Sequence, residues 1–141
     1  MAISFSASLK VKTPSKKKLR SWLAAIASSE KKKIKNLVYN FCSDEELLQI
    51  NQQFLKHNTY TDIITFDYSE KDFISGEIYI SIERVEENAT KEIVSFEEEL
   101  IRVIAHGLLH LCGYKDKSAP HKKTMQLAEN KAIKAFKAIK G

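Results

Sequence analysis

The chain has 141 residues, which fits one domain that buries roughly 68–70% of the surface its unfolded form exposes. Apolar residues make up 43% and charged residues 29%, and no apolar run approaches the ~20 residues of a membrane span, so disordered and membrane-spanning classes are excluded. The net charge of +5 is unevenly spread: residues 1–42 hold ten Lys/Arg against Glu30 alone, residues 43–100 hold four against fifteen acids, and residues 101–141 hold nine against two.

Taken in chain order, "ISFSASLKV" alternates like a strand, and "SKKKLRSWLAAIAS" is patterned like an amphipathic helix. Ile34 to Cys42 is β-rich and alternates over its centre, which predicts a second strand. Ser43 with Glu46 forms a capping-box pattern before a helix whose apolar stripe is Leu47, Ile50 and Phe54. Two β-rich runs follow, Thr61 to Tyr68 and Gly76 to Val85, the second with Ile78, Ile80 and Ile82 on one face; the polar link "SEKDFIS" suits a hairpin-like pair. Ser95 with Glu98 is a second capping-box pattern and opens a helix that stops at Gly113. A last helix starts around Ser118–Pro120, with Met125, Ala128, Ala132, Ala135, Phe136 and Ile139 at helical spacing. Strands gather in the middle and helices at the ends, which predicts an α+β fold. With two Pro and four Gly and no repeat, no linker divides residues 1–141.

Cys42 and Cys112 lie in apolar runs and are too few for a disulfide framework, so a reducing compartment is expected. The Ser- and Lys-rich first 29 residues superficially resemble a transit peptide. Their strand and helix patterning places them in the fold, and a cytoplasmic location is the expectation. The basic ends would raise the local concentration of a polyanion such as RNA, although a charge run also serves simply as a solvated face.

The chemistry concentrates in "HGLLHLCGYKD", residues 106–116. Residues four apart share a helix face, so His106 and His110 can aim their imidazoles at one point. Gly113 suits a left-handed turn that would return Asp116 to the same point. Two His and one carboxylate are three protein ligands, the number at which a catalytic zinc keeps an open position. His121, in the first turn of the last helix, is the alternative third ligand. Gly107 occupies the position where a zinc peptidase carries its catalytic glutamate. Peptide hydrolysis is thereby disfavoured, and glycine inside a helix suggests that something packs close to it. Phosphodiester cleavage asks less of a side-chain base, because a metal ion itself lowers the pKa of its bound water and neutralises developing charge.

This stretch, with the upstream "TDIITFDY" and "GEIYISI", resembles the YbeY-type endoribonucleases, or rRNA maturation factors, over about Leu47 to Asp116. The resemblance implies an α+β fold with a small mixed sheet of about four strands, helices around it, and a metal cleft at the His helix. It implies cleavage of single-stranded RNA in rRNA processing, ribosome assembly and ribosome quality control, with one divalent ion, zinc, held at His106, His110 and Asp116. The small ribosomal subunit or its proteins are the implied partners, with no membrane. Two other readings stand beside it: an RNA-binding or ribosome-assembly factor whose metal is structural, and a metallopeptidase with a displaced base.

Three departures from the family pattern stand out. Asp116 replaces the usual third His, which brings a harder ion such as manganese into consideration. Leu55 and Tyr60 stand where the family has Arg and Pro. Lys56 or His57 could make the phosphate contact of the missing Arg, and Lys115 and Lys117 flank Asp116 as further candidate RNA contacts. Phe66, Tyr68 and Tyr79 could stack bases but are expected in the core. Tyr114 either orients the site or wedges its turn against the core.

Overall fold

The computed structural model describes residues 1–57 and 59–139. Strand β1 (Ala2–Ala7) leads through α1 (Lys16–Ser29) to β2 (Lys33–Cys42), and α2 (Asp44–Leu55) precedes β3 (Ile63–Asp67) and β4 (Phe73–Ser81). Helices α3 (Ile82–Glu92), α4 (Phe96–Leu111) and α5 (Ala119–Ala138) complete the chain. The strands form one mixed sheet in the order β1-β2-β4-β3, with β1–β2 and β2–β4 parallel and β3–β4 antiparallel. The expected small mixed α+β architecture is the observed one, with five helices and four strands among the described residues.

Local signals set most boundaries. The Oγ atoms of Ser15, Ser43, Ser95 and Ser118 each accept a backbone N–H at the start of α1, α2, α4 and α5, filling donors that a helix leaves unpaired. At Ser43 the box is reciprocal, because Glu46 accepts from the Ser43 N–H at 3.1 Å. At Ser95 Glu98 instead meets Lys137 of α5, so its carboxylate ties two helices together.

The structure departs from the expected pattern at β4 and at the apolar stripe of α2. The strand expected over Gly76–Val85 begins earlier, at Phe73, and ends at Ser81, whose Oγ accepts from Arg84 N and opens α3. Ile82 continues the alternation of Ile78 and Ile80, yet with Val85 and Ala89 it also makes a buried helical stripe, and the helix wins. Phe54 does not join the α2 stripe: it is 60% exposed, its ring edge-on to Phe66.

Alternation along the strands makes two faces. Leu37, Tyr39, Phe41, Ile78 and Ile80 point into the main core with α1, α4 and α5, whereas Cys42, Ile64, Phe66 and Tyr79 face α2. Buried Tyr39 donates its hydroxyl to the Ile104 carbonyl at 2.8 Å, and the Trp22 indole N–H donates to the Ala132 carbonyl at 2.8 Å. Both thiols are free, and burial pushes them up, Cys42 to about 12 and Cys112 to about 11.

Helix α4 sits close on the sheet because each element has a glycine facing a side chain of the other. A Cβ on Gly107 would come 2.9 Å from Ile78 Cδ1 and 3.1 Å from Ile63 Cδ1. One on Gly76 of β4 would come 2.7 Å from the Phe66 carbonyl oxygen and 2.9 Å from Leu111 Cδ1. This close seat carries the His-bearing end of α4 to its place and accounts for the helical glycine.

Candidate metal centre

His106 and His110 project from one face of α4 with their rings edge to face, centroids 4.5 Å apart. The helix ends in a Schellman turn: Gly113 N–H donates to the His110 carbonyl and Tyr114 N–H to the Leu109 carbonyl. Gly113 has φ +107, with nothing within 4 Å of where a Cβ would stand, so glycine is required by conformation rather than space. The turn places Asp116 Oδ2 3.2 Å from His106 Nε2 and 3.4 Å from His110 Nε2.

That spacing fits a metal ion. Atoms held at 2.0–2.2 Å around a tetrahedral ion lie about 3.3 Å from one another. Among the described residues the group of His, Cys and acidic side chains that converges in this way is His106, His110 and Asp116, all half-buried, with ligand atoms within 4.8 Å of one another. His121 lies outside this group. It is exposed and lines a separate recess with Cys112, Tyr114, Lys115 and Thr124.

The other nitrogen of each ring is already committed. His110 Nδ1 lies 3.0 Å from the Tyr114 carbonyl oxygen, which can only accept, so the proton is on Nδ1 and the Nε2 lone pair faces Asp116. His106 Nδ1 lies 2.6 Å from Glu129 Oε2, and Arg102 Nη1 lies 3.1 Å from Glu129 Oε1. Burial lowers the His106 pKa, but the hydrogen bond and charge of Glu129, with smaller contributions from Asp116 and Asp62, outweigh it and leave it raised. These outer contacts fix ring orientation in the manner of metal-bound histidines.

Glu129 is the site residue that sequence reading missed. It is 7% exposed and lies on the buried stripe of α5, four residues after Met125 and four before Ile133. An acid on an apolar stripe is the signal that marks it, since such a group is buried only when paired. Lys122 is a second omission: it lines the cleft with His106, Asp116 and Glu129.

The other candidates are dispersed. Lys115 shares the recess of His121, Lys117 is exposed beyond Asp116, and Lys56 caps the far end of α2 in a left-handed conformation. Leu55, 42% exposed, ends α2. Tyr60 donates its hydroxyl to Glu45 at 2.9 Å beneath the Arg84 guanidinium, itself paired to Asp44 at 3.0 Å. Phe66 and Tyr79 are half-buried edge to face, but Tyr68 is 58% exposed and outside the core. Tyr114 answers both halves of its question with different atoms. Its carbonyl orients His110, and its hydroxyl donates to Glu30 Oε2 at 3.1 Å, tying the turn to the end of α1.

Sequence comparison agrees with this geometry. The family described as Endoribonuclease YbeY matches residues 3–137. A relative of that name from Bacteroides fragilis is 44% identical over 94% of this chain and 96% of its own length. One from Flavobacterium psychrophilum is 53% identical over 82% of this chain and 83% of its own. A solution structure of a Thermotoga maritima protein superposes with a TM-score of 0.68 at 31% identity, covering 95% of this chain and 88% of that one. The fold, the convergent His-His-Asp group and these relatives lead to one conclusion: the chain belongs to the endoribonuclease YbeY family.

Proposed function

We propose that this chain is a metal-dependent endoribonuclease that cuts single-stranded RNA in ribosomal RNA maturation, ribosome assembly and quality control, that it works in the cytoplasm, and that residues 1–141 act as one domain. The observation that carries the reading is the meeting of His106 Nε2, His110 Nε2 and Asp116 Oδ2 at one half-buried point. These three residues would hold one divalent ion. Zinc suits the two imidazoles, and the carboxylate makes manganese the next metal to test. When bound, such an ion supplies Lewis acidity toward a phosphoryl oxygen and a water acidic enough to attack at neutral pH.

The chain's own residues supply orientation and charge. Glu129 and the Tyr114 carbonyl hold the two Nδ1 protons, so both Nε2 lone pairs point inward. Lys122 on the cleft wall offers a cation to a phosphate beside the scissile bond. Lys115 and Lys117 flank the site as further backbone contacts, and Lys56 would act only at a distance. A base at position 107 would collide with Ile78 and Ile63. Glu129 is engaged by His106 and Arg102. Neither is assigned as general base, which favours phosphodiester over peptide cleavage. The small ribosomal subunit or its proteins would present the RNA.

Metal analysis followed by cleavage of unstructured RNA by the wild type and His110→Ala tests the reading. One ion per chain is expected, with a cleavage rate at least about 10²-fold lower in the variant. Undiminished cleavage by His110→Ala, or cleavage of casein in place of RNA, overturns it.

A further inference from the structure

A cleft of about 890 Å³ opens where β2 and β4 begin, lined by Lys31, Lys32, Lys33 and Lys35 together with Asp72 and Phe73. The local sequence explains it. α1 ends at Ser29, Lys31 turns the chain at φ +59, and the strand alternation of "KKKIK" then buries Ile34 while leaving Lys33 and Lys35 exposed. Lys33 pairs across the sheet with Phe73, which is 49% exposed. Lys32 lies 3.8 Å from Asp72 and so offsets the one acid lining the cleft. Among the described residues no acidic side chain lies within ion-pair distance of Lys31, Lys33 or Lys35. These three exposed lysines line the cleft without an acidic partner, together with the half-exposed Phe73 ring.

That combination, cations for a backbone beside a ring for a base, is how single strands are held without sequence preference. The cleft also adjoins the metal turn. Glu30, next to Lys31, accepts the Tyr114 hydroxyl at 3.1 Å, two residues from Asp116.

We propose that this cleft is a second binding site for single-stranded RNA, with Lys31, Lys33 and Lys35 on phosphates and Phe73 under a base, holding the substrate away from the scissile bond. The proposal rests on the endoribonuclease reading of the metal centre, and its test separates the two.

The full chain is compared with Lys31→Ala/Lys33→Ala/Lys35→Ala, with Phe73→Ala, and with a control triple at exposed lysines elsewhere, Lys12→Ala/Lys16→Ala/Lys17→Ala. Binding of labelled oligouridylates of about 16 and about 4 nucleotides is followed by fluorescence anisotropy without added metal, over a range of salt. The cleft triple is expected to weaken 16-mer binding about tenfold or more at low salt, and to reduce the slope of log K against log salt by about 2, at about 0.7 per lost contact. Phe73→Ala is expected to cost about fivefold or more with the slope unchanged. In cleavage assays KM for the long RNA rises while kcat, and cleavage of the short one, stay as in wild type. Wild-type binding and slope in the cleft triple overturn the proposal, as does an equal loss in the control triple. Loss of polyglutamate binding with RNA binding intact assigns the cleft to an acidic protein segment and also overturns it. If wild type cleaves neither RNA the endoribonuclease reading fails, and the binding measurement still decides the cleft.

Discussion

An imidazole has two nitrogens, and at His106 a carboxylate from another helix decides which one faces the metal point. Removing it by Glu129→Ala frees the ring and leaves Arg102 without its buried partner. Loss of such outer-shell contacts typically lowers metal affinity 10–100-fold. A chelator competition assay is expected to show a drop of about that size, with Glu129→Gln retaining part of the affinity because the amide oxygen still accepts from Nδ1. Unchanged affinity in the alanine variant would show that His106 needs no such support.

Glu99 carries the other consequence of a carboxylate facing inward. It is 7% exposed. Burial pushes its pKa to about 7, with Asp62, Glu129 and Glu92 adding to the rise and Arg102 opposing it. A folded-state value above the unfolded one means that the protonated form stabilises the fold at low pH, and that this stability is lost as pH rises from about 4.5 through about 7. Glu99→Gln is therefore expected to stabilise the protein by on the order of 2–3 kcal/mol at pH 8 and by little near pH 5. Denaturant unfolding at the two pH values checks this, and an equal effect at both would contradict it.

At the scale of elements, the seat of α4 matters most, since that helix carries both histidines. The two glycines that form the seat differ in what opposes a side chain. Gly107 faces the tips of two isoleucines, which can shift, whereas Gly76 faces the fixed Phe66 carbonyl. Gly107→Ala gains helix propensity of roughly 1 kcal/mol against a modest steric cost, so a net change within about 1 kcal/mol is expected. Gly76→Ala is expected to cost about 2–4 kcal/mol. Thermal unfolding of the two variants checks the order, and a reversed order would place the less yielding contact at Gly107 rather than at Gly76.

Capped, strongly periodic elements such as α2 and α5 were legible because Ser43, Ser118 and the apolar stripes act locally. Helix α3 was not, because Ile82 satisfies the two-residue period of the strand before it and the helical spacing of Val85 and Ala89 after it. Only the Ser81 hydroxyl, turned to the Arg84 amide, settles the boundary.

Over the whole molecule the metal point is assembled from short and long range together. His106, His110 and Asp116 come from one eleven-residue stretch, so their spacing and the Gly113 turn could be read directly. Glu129 arrives from α5 and the Tyr114 anchor from α1, 23 and 84 residues away from their partners. No local pattern encodes those meetings; packing does. The same packing brings Glu30, at the C-terminal end of α1, to the Tyr114 hydroxyl, so the lysine run that follows α1 in sequence starts beside the metal turn.

Anomalous diffraction from metal-loaded crystals, collected at the absorption edges of zinc and manganese, tests the central claim most directly. One ion is predicted at about 2.0–2.2 Å from His106 Nε2, His110 Nε2 and an Asp116 carboxylate oxygen, with an open position toward the Lys122 wall. An ion ligated by His121 with Asp116 turned away, or no ion at His106 and His110, would contradict it.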